Sequence, residues 1–89
     1  MFLINIKLTV TEKGKNIFTS RECQVLIGIA DGGMDKQIAR GLNISVSAVK
    51  AYHNRINEKL QLTEQSINTR SAMVTSAIAH GLLNVSIKD

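Results

Sequence analysis

The chain has 89 residues, of which 44% are hydrophobic and 20% charged, and its formal net charge is +4 at pH 7. This length provides for one domain with one modest core, and the hydrophobic fraction excludes a disordered chain. The basic balance favours nucleic acid or another anionic partner. Aromatic residues make up 3% of the chain, which argues against single-strand binders that stack bases on aromatic rings.

Cysteine usage and apolar runs indicate a protein of a reducing compartment that does not span a membrane. Cys23 is the single cysteine, so an internal disulfide and a cysteine-based zinc site are both excluded. The longest apolar run, residues 25–30, is too short to cross a bilayer. The sequence shows no paired carboxylates, no Ser/His/Asp set and no cluster of metal ligands. We therefore expect a cytoplasmic protein that is not an enzyme and has no cofactor and no metal.

Residues 2–10 alternate between apolar and polar side chains, which is the period of a half-buried strand. Since a lone strand is unstable, this strand needs a partner. The other strand-like run covers residues 83–87, and we expect the two to pair, either within one chain or across a dimer. The competing interpretation is an unstructured N-terminal arm. Residues 12–16, which are charged and contain Gly14, are predicted to form a turn.

Two helices are predicted between residues 20 and 42. The first runs over 20–31, because Thr19 and Glu22 have the spacing of a capping box and Gly32 can end the helix. The second runs over 35–42 with Asp35 as its N-cap, and Gly41 inside it costs on the order of 1 kcal/mol relative to alanine. The residues expected to face the core are Val25, Leu26, Ile29, Ile38, Ala39 and Leu42.

A third helix is predicted over 45–60, and it has two different faces. Val49, Ile56 and Leu60 form one apolar stripe at the helical period, and Ser45 is the expected N-cap. Lys50 and Asn54, one turn apart, are side-chain types that bond base edges in a DNA major groove. From this helix alone, a DNA-contacting helix and an ordinary amphipathic surface helix both fit. The polar face comprises Ser47, Lys50, Ala51, Asn54 and Glu58.

Two short helices joined by three residues form a helix-turn-helix pattern when the second has a polar outer face. A fourth helix is predicted over 70–80, capped by Asn68 or Thr69 and ended by Gly81. Its apolar residues suit either a core or a dimer surface. We therefore expect an all-α domain of four helices over 17–83. An N-terminal arm or strand over 1–16 and a C-terminal tail or strand over 84–89 would flank it, and the two strands would pair.

From residue 18 to residue 60 the sequence resembles, without a gap, the DNA-binding domain of the LuxR/FixJ/GerE type. The residues that carry the resemblance include Thr19-Ser20-Arg21-Glu22, Ile38-Ala39, Ile44-Ser45, Val49-Lys50 and Lys59-Leu60. Arg70, Ala72 and the ending Gly81-Leu82-Leu83 extend it. The resemblance implies a helix-turn-helix domain whose third helix enters the major groove. It also implies a homodimer through the fourth helix, bound to an inverted repeat near a bacterial promoter.

The resemblance also assigns residues to the predicted interfaces. Positions that contact bases in the family are occupied by Lys50, Ala51 and Asn54, and positions that contact phosphates by Ser45, Ala48 and Tyr52. Lys36 holds the family's lysine at the start of the second helix. Ser47 and Arg55 share the outer surface of the third helix and complete the predicted DNA contacts, and Lys59 adds charge to the same helix. The predicted dimer contacts are Met73, Ala77 and Ile78.

Several positions depart from the family pattern. Ala48 replaces a threonine, Tyr52 a histidine, and Met34-Asp35 a Ser-Asn pair. Gly28 replaces a core leucine and should loosen the first helix. Additional residues between Leu62 and Arg70 either extend the third helix or lengthen the linker. Because about 17 residues precede the first helix, we expect a stand-alone member of the GerE type without a receiver or ligand-binding domain.

The sequence thus predicts a bacterial, sequence-specific DNA-binding transcription regulator that acts as a homodimer. The alternative is a protein-interaction module on the same scaffold, an anti-activator or co-regulator that binds another regulator or RNA polymerase. Glu58 and the loss of the threonine at position 48 favour that alternative. A third interpretation, a piece of sigma-factor region four, is opposed by the gapless match across the first helix.

Overall fold

A computed structural model describes residues 5–61 and 70–88 of the chain. The predicted all-α fold with paired terminal strands is confirmed, with one additional helix. The predictions for residues 2–4, for the additional residues between Leu62 and Arg70, and for Asn68 and Thr69 as caps lie outside the described residues. The elements are β1 (Asn5–Val10), α1 (Glu12–Ile17), α2 (Ser20–Ala30), α3 (Asp35–Leu42), α4 (Val46–Lys59), α5 (Arg70–Ala79) and β2 (Leu83–Lys88).

The two terminal strands form an antiparallel ribbon within one chain. Leu8 lies opposite Val85, and Val10 lies opposite Leu83. Because residues directly opposite each other point to the same side of a sheet, these apolar side chains share one face. That face is buried at the end near the helices, where Leu83 is 3% exposed, and opens toward the other end, where Val85 is 43% exposed.

The segment predicted as a turn over 12–16 is instead the helix α1. Thr11 is its N-cap: the hydroxyl oxygen accepts from the N–H of Gly14 at 3.1 Å, and the hydroxyl donates to the carbonyl of Gly81 at 2.6 Å. The N–H of Thr11 also donates to the carbonyl of Leu82 at 3.0 Å. α1 is therefore bonded to the chain just before β2, and the domain boundary predicted after residue 16 falls inside this helix.

Helix α2 begins with the predicted capping box. The N–H of Glu22 donates to the Thr19 hydroxyl at 3.2 Å, and the N–H of Thr19 donates to the Glu22 carboxylate at 2.8 Å. The prediction that Asp35 caps α3 is wrong. Met34 is the N-cap, its N–H donates to the Gln37 side chain at 2.8 Å, and Asp35 is the first helical residue. Gln37 therefore supplies the cap contact from inside the helix.

Because Gly28 replaces a core leucine of the family, the sequence suggested a loosened helix, but the structure shows no gap at this position. A Cβ atom at this position would lie 2.9 Å from Cγ1 of Ile38, which occupies the space a side chain would need. The Ile38 side chain of α3 thus fills the space that a side chain at position 28 of α2 would occupy. The two helices approach closely here, and α2 remains continuous from Ser20 to Ala30.

Helix α4 packs against α2 and α3 and completes the core. Asn43 ends α3 in the left-handed conformation (φ +57°), and the N–H of Ile44 donates to the Ala39 carbonyl at 2.9 Å. Ser45 then caps α4 as predicted, because its Oγ accepts from the N–H of Ala48 at 3.0 Å. The largest fully buried side chains of the core are Val25, Leu26, Val49, Ile56 and Met73. Among the described helices, none is long and apolar enough to cross a membrane.

Candidate nucleic-acid interface

The two faces predicted for α4 are present in the structure. Val49 and Ile56 are fully buried against the neighbouring helices, and Leu60 is buried at the end of α4. The opposite side is open to solvent along the helix. Its exposed residues are Ser47, Lys50, Ala51, Asn54, Arg55 and Glu58. A polar, exposed surface about one helix wide has the size and chemistry that a DNA major groove accepts.

The first turn of α4 presents hydrogen-bond donors outward. Ser45 is exposed, and its oxygen already accepts from Ala48, so its O–H hydrogen can be donated to a phosphate. The backbone N–H groups of a helix's first turn have no partner within the helix and favour anions. Ala48 is half-buried and contributes no hydroxyl. Phosphate binding at this end is thus available through Ser45 and the helix terminus.

Tyr52 and Arg55 form one unit on the flank of α4. The guanidinium carbon of Arg55 lies 5.3 Å from the centroid of the Tyr52 ring, within cation–π range. Tyr52 is half-buried and Arg55 exposed, so the ring supports the guanidinium from the protein side. An arginine held in this way retains donors for a phosphate while its freedom is reduced.

Helices α3 and α4 meet in an open cleft of about 470 Å³. Lys36 and Lys50, predicted separately as DNA contacts, both line it, although they belong to different helices. The other lining residues are Met34, Asp35 and Val46. Met34 was not among the predicted site residues, because the sequence predicted Asp35 as the N-cap and the position of Met34 at the helix start emerges only from the structure. The cleft joins the start of α3 to the polar face of α4.

Lys59 does not belong to this surface. Its Nζ donates to the Glu22 carboxylate at 2.6 Å and to the carbonyl of Ile17 at 2.9 Å, and it lies 5.8 Å from the centroid of the Phe18 ring. Burial raises the pKa of Glu22, but the bonds from Lys59 and from the Thr19 N–H outweigh it, so that this pKa is lowered overall. Lys59 thus connects the C-terminal end of α4 to α2 and to the end of α1.

The predicted dimer residues differ in exposure: two are buried and one lies at the surface. Met73 and Ala77 are fully buried in the chain's own core, where α5 packs against α2 and β2, and so have no surface for a second copy. Ile78 is 40% exposed. Its exposed neighbours on α5 are Thr75 and Ala79. Contacts with a second copy through α5 would therefore involve these three residues.

Helices α3 and α4, the tight turn between them and the exposed polar face of α4 together define a helix-turn-helix domain. The chain belongs to the LuxR family of bacterial regulatory proteins, since the family's GerE model matches residues 16–74. The resemblance found in the sequence is thereby confirmed.

Two curated relatives are similar to this chain. Response regulator Rre1 of Synechocystis sp. is 38% identical over 65 residues, which make up 73% of this chain and 26% of that protein. Transcriptional regulatory protein DegU of Brevibacillus brevis is 32% identical over 82 residues, 92% of this chain and 33% of that protein. The chain thus spans a third or less of the length of these relatives.

Proposed function

We propose that this chain is a sequence-specific regulator of transcription that binds double-stranded DNA through α4 in the major groove. The observation that carries the proposal is the polar face of α4, which is open to solvent while the opposite face is fully buried. Membership of the LuxR family supports it, as does the similarity to DegU, a transcriptional regulatory protein.

In this proposal, base contacts come from the first two-thirds of α4. Lys50 would donate to guanine O6 or N7, and Asn54 would form a bidentate pair with an adenine. Ala51 and Ser47 are small enough to let the helix backbone approach the bases. Phosphate contacts would come from Ser45, Lys36 and the Arg55–Tyr52 unit, which lie around this central surface. Such contacts set the register of the helix on DNA and carry most of the salt dependence.

We further propose that two copies bind together on an inverted repeat. The second copy would meet α5 at Thr75, Ile78 and Ala79, where Ile78 offers an exposed apolar contact and Thr75 and Ala79 are small. Two-fold symmetry would then place one α4 in each of two half-sites about one helical turn of DNA apart. Met73 and Ala77 would support this surface from the core without touching the partner.

The test is selection of duplexes from a random pool by the purified chain, followed by binding measurements across a salt series. The proposal predicts enrichment of a two-fold symmetric site. It also predicts that the logarithm of affinity falls linearly with the logarithm of salt concentration, with a slope of about −0.9 for each phosphate neutralised. Equal, weak binding to all sequences would contradict it. The exposed face of α4 would then be assigned to a protein such as another regulator or RNA polymerase, for which Glu58 is a suitable contact.

A further inference from the structure

Met34 is an exposed apolar side chain at an N-cap position, where it makes no capping hydrogen bond. It is 68% exposed at the start of α3, and the Gln37 side chain makes the cap hydrogen bond there. Met34 instead lines the cleft between α3 and α4 together with Val46, the first residue of α4. The cleft therefore has apolar side chains from both helices in its lining.

The charge of the cleft lining is predominantly positive. Lys36 of α3 and Lys50 of α4 both line it, and the other lining residues belong to the starts of the same two helices. Asp35 is the one acidic residue in the lining and is half-buried, so that two positive charges stand beside one negative charge. The cleft is therefore complementary to a partner that carries negative charge on its outside and a small apolar group within reach of Met34 and Val46.

We infer that this cleft recognises the 5-methyl group of a thymine. The inference rests on the proposed function, and it specifies which base is selected beside the one contacted by Lys50. On the floor of the major groove, the thymine methyl is the apolar group that base edges present, and apolar side chains recognise it. Val46 and Lys50 are one turn apart on the same side of α4, so that the methyl would belong to a base adjacent to the base that Lys50 contacts. Met34 would cover the methyl from the α3 side.

The test uses the duplex selected from the random pool, with each thymine replaced in turn by deoxyuridine. This exchange removes one methyl group and leaves the base pairing unchanged. For the wild-type chain, we expect one thymine in each half-site at which the exchange weakens binding about fourfold, as expected for one buried methyl group. Because both copies carry the change and each loses one methyl contact, Met34→Ser should bind the thymine duplex about sixteenfold more weakly and show no further loss with uracil at that position. Met34→Leu should retain the loss.

Two control variants separate this effect from general weakening. Lys36→Ala should lower the affinity for all duplexes alike and leave the methyl effect intact, because it removes charge and no apolar contact. Ile17→Ser changes an exposed apolar residue that lies outside the cleft and should alter neither quantity.

Three outcomes would overturn the inference while leaving the proposed function in place. The first is a selected site without thymine next to the base that Lys50 contacts. The second is wild-type binding that is insensitive to every uracil exchange. The third is an equal methyl effect in wild type and Met34→Ser. Absence of any sequence-selective binding would overturn the proposed function and this inference with it. A partner protein would then be the occupant of the cleft.

Discussion

Glu22 is a buried carboxylate that connects three segments of the chain. It accepts from the N–H of Thr19 at 2.8 Å and from Lys59 at 2.6 Å, and Lys59 also donates to the carbonyl of Ile17. The end of α1, the start of α2 and the end of α4 therefore meet at one ion pair. Its lysine side chain is one-third exposed, whereas the glutamate side chain is 4% exposed. Hydrogen bonds to charged groups in such settings contribute more than neutral ones.

Replacing this carboxylate by an amide tests its contribution to stability. Because the folded pKa of Glu22 is lowered, its stabilisation is complete above the ordinary carboxyl pKa and is lost as the pH falls through the folded value. Glu22→Gln should therefore reduce the free energy of unfolding by about 1.5–3 kcal/mol at pH 7. The difference from wild type should shrink near pH 3. Urea denaturation at the two pH values measures both effects.

Glu12→Gln is the matched control for that experiment. Glu12 also pairs with a lysine, Lys15, but at 3.8 Å and with both side chains largely exposed. Exposed pairs contribute between about 0 and 1 kcal/mol, so we expect little change at either pH. Equal losses in the two variants, or a Glu22→Gln loss that persists unchanged at acid pH, would show that the buried pair has no special role.

The two partners of Glu22 differ in how visible they are from the sequence. The capping box is local, since Thr19 and Glu22 are one turn apart, and it was predicted correctly. Lys59 is 37 residues from Glu22, and no local pattern distinguishes it from Lys50, the solvent-facing lysine of the same helix. Assigning it to the DNA side followed from the helix alone. Only the packing of α4 against α2 reveals its role.

At the level of the elements, α1 and α3 each contain a glycine, and the two glycines have different roles. A Cβ atom at Gly14 would lie 2.5 Å from the carbonyl oxygen of Leu82 and 2.7 Å from Cγ1 of Val10. Gly41 has nothing within 4 Å of that position. Glycine lowers helix propensity in both places, but only Gly14 is needed for close approach. The prediction of a turn over 12–16 was wrong. Glycine is required in α1 by its contact with Leu82, which is distant in the sequence, and the local sequence does not reveal that contact.

The same substitution should therefore have opposite effects at the two sites. Gly41→Ala should raise the free energy of unfolding by about 0.5–1 kcal/mol, because it removes only the propensity cost of glycine. Gly14→Ala should lower it, since α1 has to move away from Leu82 and the Thr11 hydrogen bonds must adjust. Thermal and urea unfolding of both variants measure the sign directly. Stabilisation by Gly14→Ala would contradict the packing described for α1.

For the whole molecule, the ribbon of β1 and β2 packs on the helices, with β1 against α1 and α2 and β2 against α5. Their alternating pattern predicted both the strands and their pairing, and the structure shows the pairing within one chain. The polar face of α4 was also predictable, because the helical period separates its two faces. The cleft between α3 and α4 was not, since it requires the relative position of Met34 and Val46 on different helices.

The proposed dimer surface can be tested with a matched pair of isoleucines. Ile78 on α5 and Ile17 on α1 are each 40% exposed, and both lie in the last turn of their helices. Ile78→Arg should lower the dimer association constant at least tenfold, because two like charges would face each other across the two-fold axis. Ile17→Arg should leave it unchanged. Analytical ultracentrifugation over a concentration series measures both, and equal effects would remove α5 from the dimer interface.

The central claim is that the exposed face of α4 recognises DNA sequence. The most direct measurement is fluorescence anisotropy with the selected duplex and a scrambled one, for wild type, Lys50→Ala, Asn54→Ala and Lys13→Ala. Lys13 is an exposed lysine on α1 and lies beside Lys59, at the C-terminal end of α4. That end is about 13 Å along the helix axis from Lys50.

Lys50→Ala and Asn54→Ala should each reduce the preference for the selected duplex about 5-fold to 150-fold, the equivalent of one lost base contact. Lys13→Ala should preserve that preference. An unchanged preference in Lys50→Ala and Asn54→Ala would contradict the account and place sequence recognition elsewhere on the molecule.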